Sequence, residues 1–135
     1  MLIRDIIVML GENFMERINR DNYLSILKNF KDQQIIKVIT GIRRCGKSTL
    51  LEIYQDYLRN NGIKEEQIIS INFENADYEE LLDRKKLHKY IKDKLVIGEK
   101  TYVFLDEVQN VSEFEKTVDS LFINKDVDLY ITGSN

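Results

Sequence analysis

Residues 41–48 read Gly41-Ile42-Arg43-Arg44-Cys45-Gly46-Lys47-Ser48, followed by Thr49. Two glycines at this spacing let a short turn aim successive backbone N–H groups at one anion. A helix starting at the lysine would add the positive end of its dipole to the same point. Lys47 supplies a mobile point charge suited to β- and γ-phosphates, and the Ser48 hydroxyl suits a Mg²⁺ ion. The segment Gly41–Thr49 is therefore expected to be a nucleotide phosphate cradle, with Lys47 also acting in catalysis.

A second group of reactive residues closes the apolar run Thr101-Tyr102-Val103-Phe104-Leu105, which ends in Asp106-Glu107. Acids at the carboxyl end of a buried strand lie where open α/β sheets bind ligands. Asp106 is expected to share the Mg²⁺ ion with Ser48, acting through water. Glu107 is expected to orient or deprotonate the water that attacks the γ-phosphate.

Regular elements must carry these residues. Ile35–Thr40 reads as a first strand, and a helix then runs to Arg59 and stops at Asn60-Asn61-Gly62. Gln67–Phe73 reads as a second strand and Asp77–Leu95 as a helix, with Leu81, Leu87, Ile91 and Leu95 on one stripe and lysines opposite. That lysine-rich face is read as solvated, and His88 as a surface helix residue. Thr101–Leu105 is a third strand. Ser112-Glu113-Phe114-Glu115 has the form of a capping box opening another helix, and Val127–Thr132 is a fourth strand. Apolar positions from Ile3 to Phe30 recur at helical spacing, so residues 1–30 are expected to be a helical segment preceding a core over 31–135. Strands alternating with helices predict an α/β three-layer fold on a parallel sheet.

Composition narrows the class. The 135 residues suffice for one domain, and 43% hydrophobic content suffices for a core. A net charge of −3 does not support a nucleic-acid-coating protein, although it leaves room for a local basic patch. No apolar run approaches the roughly 18 residues of a membrane span. Cys45 is the single cysteine, so an internal disulfide is impossible and a reducing cytoplasm is expected.

Taken together, GIRRCGKSTLL, the strand Ile69–Asn75, the box Tyr102–Gln109 and the ending Leu129–Asn135 resemble the AAA-type ATPase domain of many prokaryotic predicted ATPases. In those proteins a restriction-endonuclease-like domain usually follows. The resemblance covers roughly residues 15–135. It implies a P-loop NTPase sheet of the additional-strand type, with spatial order 1-4-3-2. It also implies that Asn135 is the residue sensing the γ-phosphate, with Ser134 and Thr132 as lesser candidates. Against the family pattern, the fifth strand and later helical region are missing, so an N-terminal fragment of a longer protein is expected, with strand one left as a bare edge.

The leading functional expectation is an ATP-binding module whose full-length form hydrolyses ATP with Mg²⁺, while the fragment turns over poorly. A guanine-reading motif is absent, since Val127 stands where an acid would follow Asn124-Lys125-Asp126. Two alternatives remain: a non-hydrolysing nucleotide switch or docking module, and a helicase-like ATPase stimulated by nucleic acid, which would need a second motor domain. A homo-oligomer or a C-terminal domain of the same protein is the expected macromolecular partner. Arg43 and Arg44 could reach a phosphate or a neighbouring protomer's nucleotide.

Overall fold

The computed structural model describes residues 5–9, 17–41 and 46–134. The described strands are β1 (Asp5–Met9), β2 (Ile36–Gly41), β3 (Ile68–Asn72), β4 (Thr101–Asp106) and β5 (Val127–Ser134). The described α-helices are α1 (Arg17–Asn29), α2 (Lys47–Asn60), α3 (Arg84–Lys94) and α4 (Phe114–Ile123). All strand pairs are parallel, and the sheet order is β1-β2-β5-β4-β3. The α/β fold and the predicted 1-4-3-2 order are thus observed, as β2-β5-β4-β3.

The continuous apolar run of β4 is explained by its two covered faces. All six of its residues are buried. Val103 and Leu105 join Ile69, Ile71, Leu129 and Ile131 under α3 and α4, which contribute Leu87, Ile91, Val118 and Leu121. Tyr102 and Phe104 point the other way, into a cluster with Ile39, Tyr130, Leu27 of α1, and Leu50, Leu51, Tyr54 and Leu58 of α2. Phe104 and Tyr130 stack at 4.7 Å between ring centroids. Each such side chain withdrawn from water contributes about 1.5–3 kcal/mol, so the central strands are held from both sides.

Three local expectations are corrected. Residues 1–30 are not helical throughout: β1 pairs with β2 from Asp5↔Ile36 to Met9↔Thr40, and covers the flank expected to be bare. Ile6-Ile7-Val8-Met9 is a contiguous, largely β-branched run, which suits a parallel strand better than a stripe along a helix. The helix expected over Asp77–Leu95 divides at Asp83, which is extended and caps α3 by accepting from the Lys85 and Lys86 N–H groups at 2.9 and 3.1 Å. Residues Ala76–Leu82 form tight 3-10 turns with a kink at Tyr78. The capping box at Ser112 does not form. Glu113 is the N-cap of α4 in a left-handed conformation, and its carboxylate pairs instead with Lys116 at 2.6 Å.

At the amino ends of the strands a buried ionic group ties the α1–β2 turn to the sheet. Lys37 and Asp128, both with fully buried side chains, pair at 2.5 Å, and Lys37 Nζ also donates to the Gln33 carbonyl at 2.9 Å. The other Asp128 oxygen accepts from Tyr130 Oη and from the Asp32 N–H, each at 2.9 Å. Burial pulls the Lys37 ammonium below its usual value despite the counteracting charge of Asp128.

Candidate functional site

Strand register brings the reactive residues to one end of the sheet. Gly41 is level with Ser134, and Asn72 with Asp106. Gly41 closes β2. Residues Ile42, Arg43, Arg44 and Cys45 lie outside the described residues, and the chain resumes at Gly46. Gly46 adopts φ 102°, ψ 14°, a conformation that a Cβ would strain, so the glycine requirement of the loop falls here. It serves as N-cap of α2 with no side-chain hydrogen bond. A fourteen-residue helix thus begins at a residue that has no side chain to cap it, and its first turn carries Lys47, Ser48 and Thr49.

Lys47 is buried, and its Nζ lies 3.4 Å from the Gly41 carbonyl and 3.6 Å from Glu107 Oε1. The Ser48 hydroxyl donates to Asp106 Oδ2 at 2.5 Å, across from β4. The other Asp106 oxygen accepts from Thr132 Oγ1 of β5, also at 2.5 Å. That same threonine oxygen accepts the Glu107 N–H at 2.8 Å. One hydroxyl therefore fixes the first acid by its side chain and the second by its backbone.

Glu107 leaves the strand in a left-handed conformation, φ 59° and ψ 49°, which costs about 1–3 kcal/mol for a residue with a Cβ. Its carboxylate is held from three sides. Ser134 Oγ lies 2.7 and 2.9 Å from the two oxygens, Gln109 Nε2 donates to Oε2 at 2.6 Å, and Lys47 Nζ lies 3.6 Å from Oε1. Burial pushes this carboxyl up, but the bonds from Gln109 and Ser134 and the charge of Lys47 outweigh it and leave it below its ordinary value. A cleft of about 340 Å³ opens beside it, lined by Phe73, Glu74, Leu82, Glu107, Gln109, Asn110 and Ser134.

The structure thus brings Lys47, Ser48, Asp106 and Glu107 together. Asn135 lies outside the described residues. Sequence reasoning missed the bridging work of Thr132 and the amide of Gln109, and it ranked Ser134 only as a lesser sensor. A signal was present: Thr132 and Ser134 are hydroxyl residues two apart at the end of the strand expected between the loop and the acids.

The sequence profile of a family described as "AAA domain" matches residues 33–135. The chain belongs to the AAA domain family. It is also similar to an "Uncharacterized protein" of Haemophilus influenzae (strain ATCC 51907 / DSM 11121 / KW20 / Rd), with 44% identity over 119 residues, or 87% of this chain and 30% of that protein. The chain therefore spans less than a third of the curated relative it matches. No solved structure matches it. As an AAA domain it is a nucleotide-binding module. Among the described residues no helix is long and apolar enough to cross a membrane.

Proposed function

We propose that this AAA domain binds ATP at Gly41–Thr49 and, within the full-length protein, hydrolyses its β–γ bond. The observation carrying the reading is the convergence of Lys47, the Ser48–Asp106 pair and Glu107 at the start of α2. The α2 amides and Lys47 stabilise negative charge on the phosphates. Glu107 takes the proton of the attacking water as its oxygen bonds to the γ-phosphorus and the bridging oxygen departs with ADP.

Mg²⁺ suits the donors present. Ser48 and Asp106 offer hard oxygens converging on one point, and Thr132 fixes the carboxylate. Among the described residues no cluster of three or more His, Cys, Asp or Glu could hold a metal. That is compatible with an ion held by one carboxylate, one hydroxyl, water and substrate phosphates. Bound there, Mg²⁺ would neutralise phosphate charge.

A non-hydrolysing switch remains the second reading, because Ser134, Gln109 and Lys47 occupy both oxygens of Glu107. Calorimetry with Lys47→Ala and single-turnover hydrolysis by the full-length protein test both. Loss of the lysine removes a charge-assisted contact and should weaken MgATP about ten- to hundredfold. Unchanged affinity would overturn the phosphate cradle. Tight binding without turnover would establish the switch.

A further inference from the structure

On the opposite face of the sheet from α2, the first turns of α3 and α4 enclose a cleft of about 220 Å³. It is lined by Arg84, Lys85, His88, Lys116, Thr117 and Ser120. Backbone pairing of the Ser112 N–H with the Leu82 carbonyl at 3.2 Å locks the two helix starts together. Two observations distinguish this cleft from an ordinary solvated surface. Thr117 is 2% exposed, and its Oγ1 is the one buried side-chain polar atom without a hydrogen-bond partner among the described residues. A helical threonine normally returns such a hydroxyl to the carbonyl of the preceding turn, and leaving it unmade is costly. The second observation is charge. Arg84 and Lys85 have no ion pair within 4.0 Å among the described residues; the acids beside them are Glu113, on Lys116 at 2.6 Å, and Asp83, which caps α3. His88 Nε2 and Ser120 Oγ meet at 3.0 Å across the cleft.

We propose that this cleft seats a backbone phosphate of a nucleic acid, with Arg84, Lys85 and Lys116 supplying charge and Thr117 and Ser120 supplying hydroxyl donors. The charge continues along the helix. The sequence of α3 carries six Lys or Arg against one Asp, in a chain whose net charge is −3. Lys85, Lys89 and Lys92 share one stripe at i, i+4 and i+7, leading away from the cleft. A single small anion would leave that stripe unused, whereas a polyanion follows it. The site is separate from the nucleotide loop and does not depend on that reading.

The test is fluorescence anisotropy of a labelled mixed-sequence duplex DNA with the full-length protein, from ~50 to ~200 mM salt. Arg84→Ala and Lys116→Ala should each reduce the slope of log affinity against log salt by about one, the signature of one lost phosphate contact. Thr117→Val should weaken binding about two- to tenfold, as for loss of one hydrogen bond, while leaving the melting temperature equal or higher. Lys125→Ala, at the far end of the strands, removes the same charge and should act less. MgATP affinity should be unchanged in all four variants. Absence of DNA binding at low salt, an equal effect of Lys125→Ala, or undiminished binding by Thr117→Val would each overturn the proposal. Full displacement of the DNA by millimolar inorganic phosphate at constant ionic strength would likewise overturn it, marking the cleft as a free-phosphate site.

Discussion

Replacing Glu107 by Gln separates binding, chemistry and acid stability in one variant. The native carboxylate lies 3.6 Å from the Lys47 ammonium, with both side chains almost fully buried. At an effective dielectric of about 20 the gross attraction is about 5 kcal/mol. Desolvation of the two charges offsets much of it, leaving a net of about 1 kcal/mol. An incoming phosphate must compete with Glu107 for that lysine. Removing the charge should therefore leave MgATP affinity between unchanged and about fivefold tighter by calorimetry. The amide can still accept from Ser134, but it cannot take a proton from water, so single-turnover hydrolysis should fall by about 10²–10⁴. Acid stability supplies the third reading. Because the folded pKa of Glu107 is lowered, its contribution is complete above the unfolded value of about 4.3 and fades as pH falls through the folded one. Urea midpoints of Glu107→Gln should thus converge on those of the parent below that range. A tenfold loss of affinity would place Glu107 among the nucleotide or metal ligands. An unchanged hydrolysis rate would place proton acceptance elsewhere.

Ser134→Ala removes the hydroxyl lying 2.7 and 2.9 Å from the Glu107 oxygens and should cost about 1–2 kcal/mol at neutral pH. The loss should shrink on acidification in urea denaturation, and an equal loss at both pH values would contradict a bond to the charged form. Thr132→Val strips a donor from Asp106 and leaves the Glu107 N–H unpaired, so chemical denaturation should show a loss of about 2–3 kcal/mol. A near-neutral effect would mean that water replaces the hydroxyl. Lys37→Met should cost about 3–5 kcal/mol by stranding Asp128, and pairing it with Asp128→Leu should recover much of that. If the double variant is no better than the single one, the ion pair is not what the lysine contributes.

The central strands and the reactive residues at their ends could be read from the chain because their signals are local, whereas the order of those strands followed from the family resemblance. Glycine spacing, a buried run ending in acids, and alternation of strands with helices each need only a short window. What escaped depends on separation in sequence. Thr132 acquires its role only when β5 lies beside β4, and Lys37 finds its buried partner only when β5 brings Asp128 beside β2. The N-terminal strand was hidden by a coincidence of periods. In a run as apolar as Ile6-Ile7-Val8-Met9-Leu10, the positions three and four apart are all apolar, so a helical stripe can be drawn through a sequence whose Asp5–Met9 stretch forms an edge strand. The break at Asp83 was missed because the stripe of Leu81, Leu87 and Ile91 survives it, and only the cap shows where the helix begins.

The placement of β5 between β2 and β4 has a consequence for vectorial synthesis. When β4 leaves the ribosome, β1 with β2 and β3 with β4 can each pair, but no strand-to-strand backbone hydrogen bonds join the two halves. Asp106 and Glu107 then exist without the hydroxyls of Thr132 and Ser134. At about 5–20 residues per second, the gap between completing β4 and completing β5 is seconds long. Through that interval the nascent chain presents two unzipped sheet edges, those of β2 and β4, to any other strand nearby. The segment that finishes the acidic centre is the same one that closes this opening, so assembly of the site and escape from mispairing are a single event.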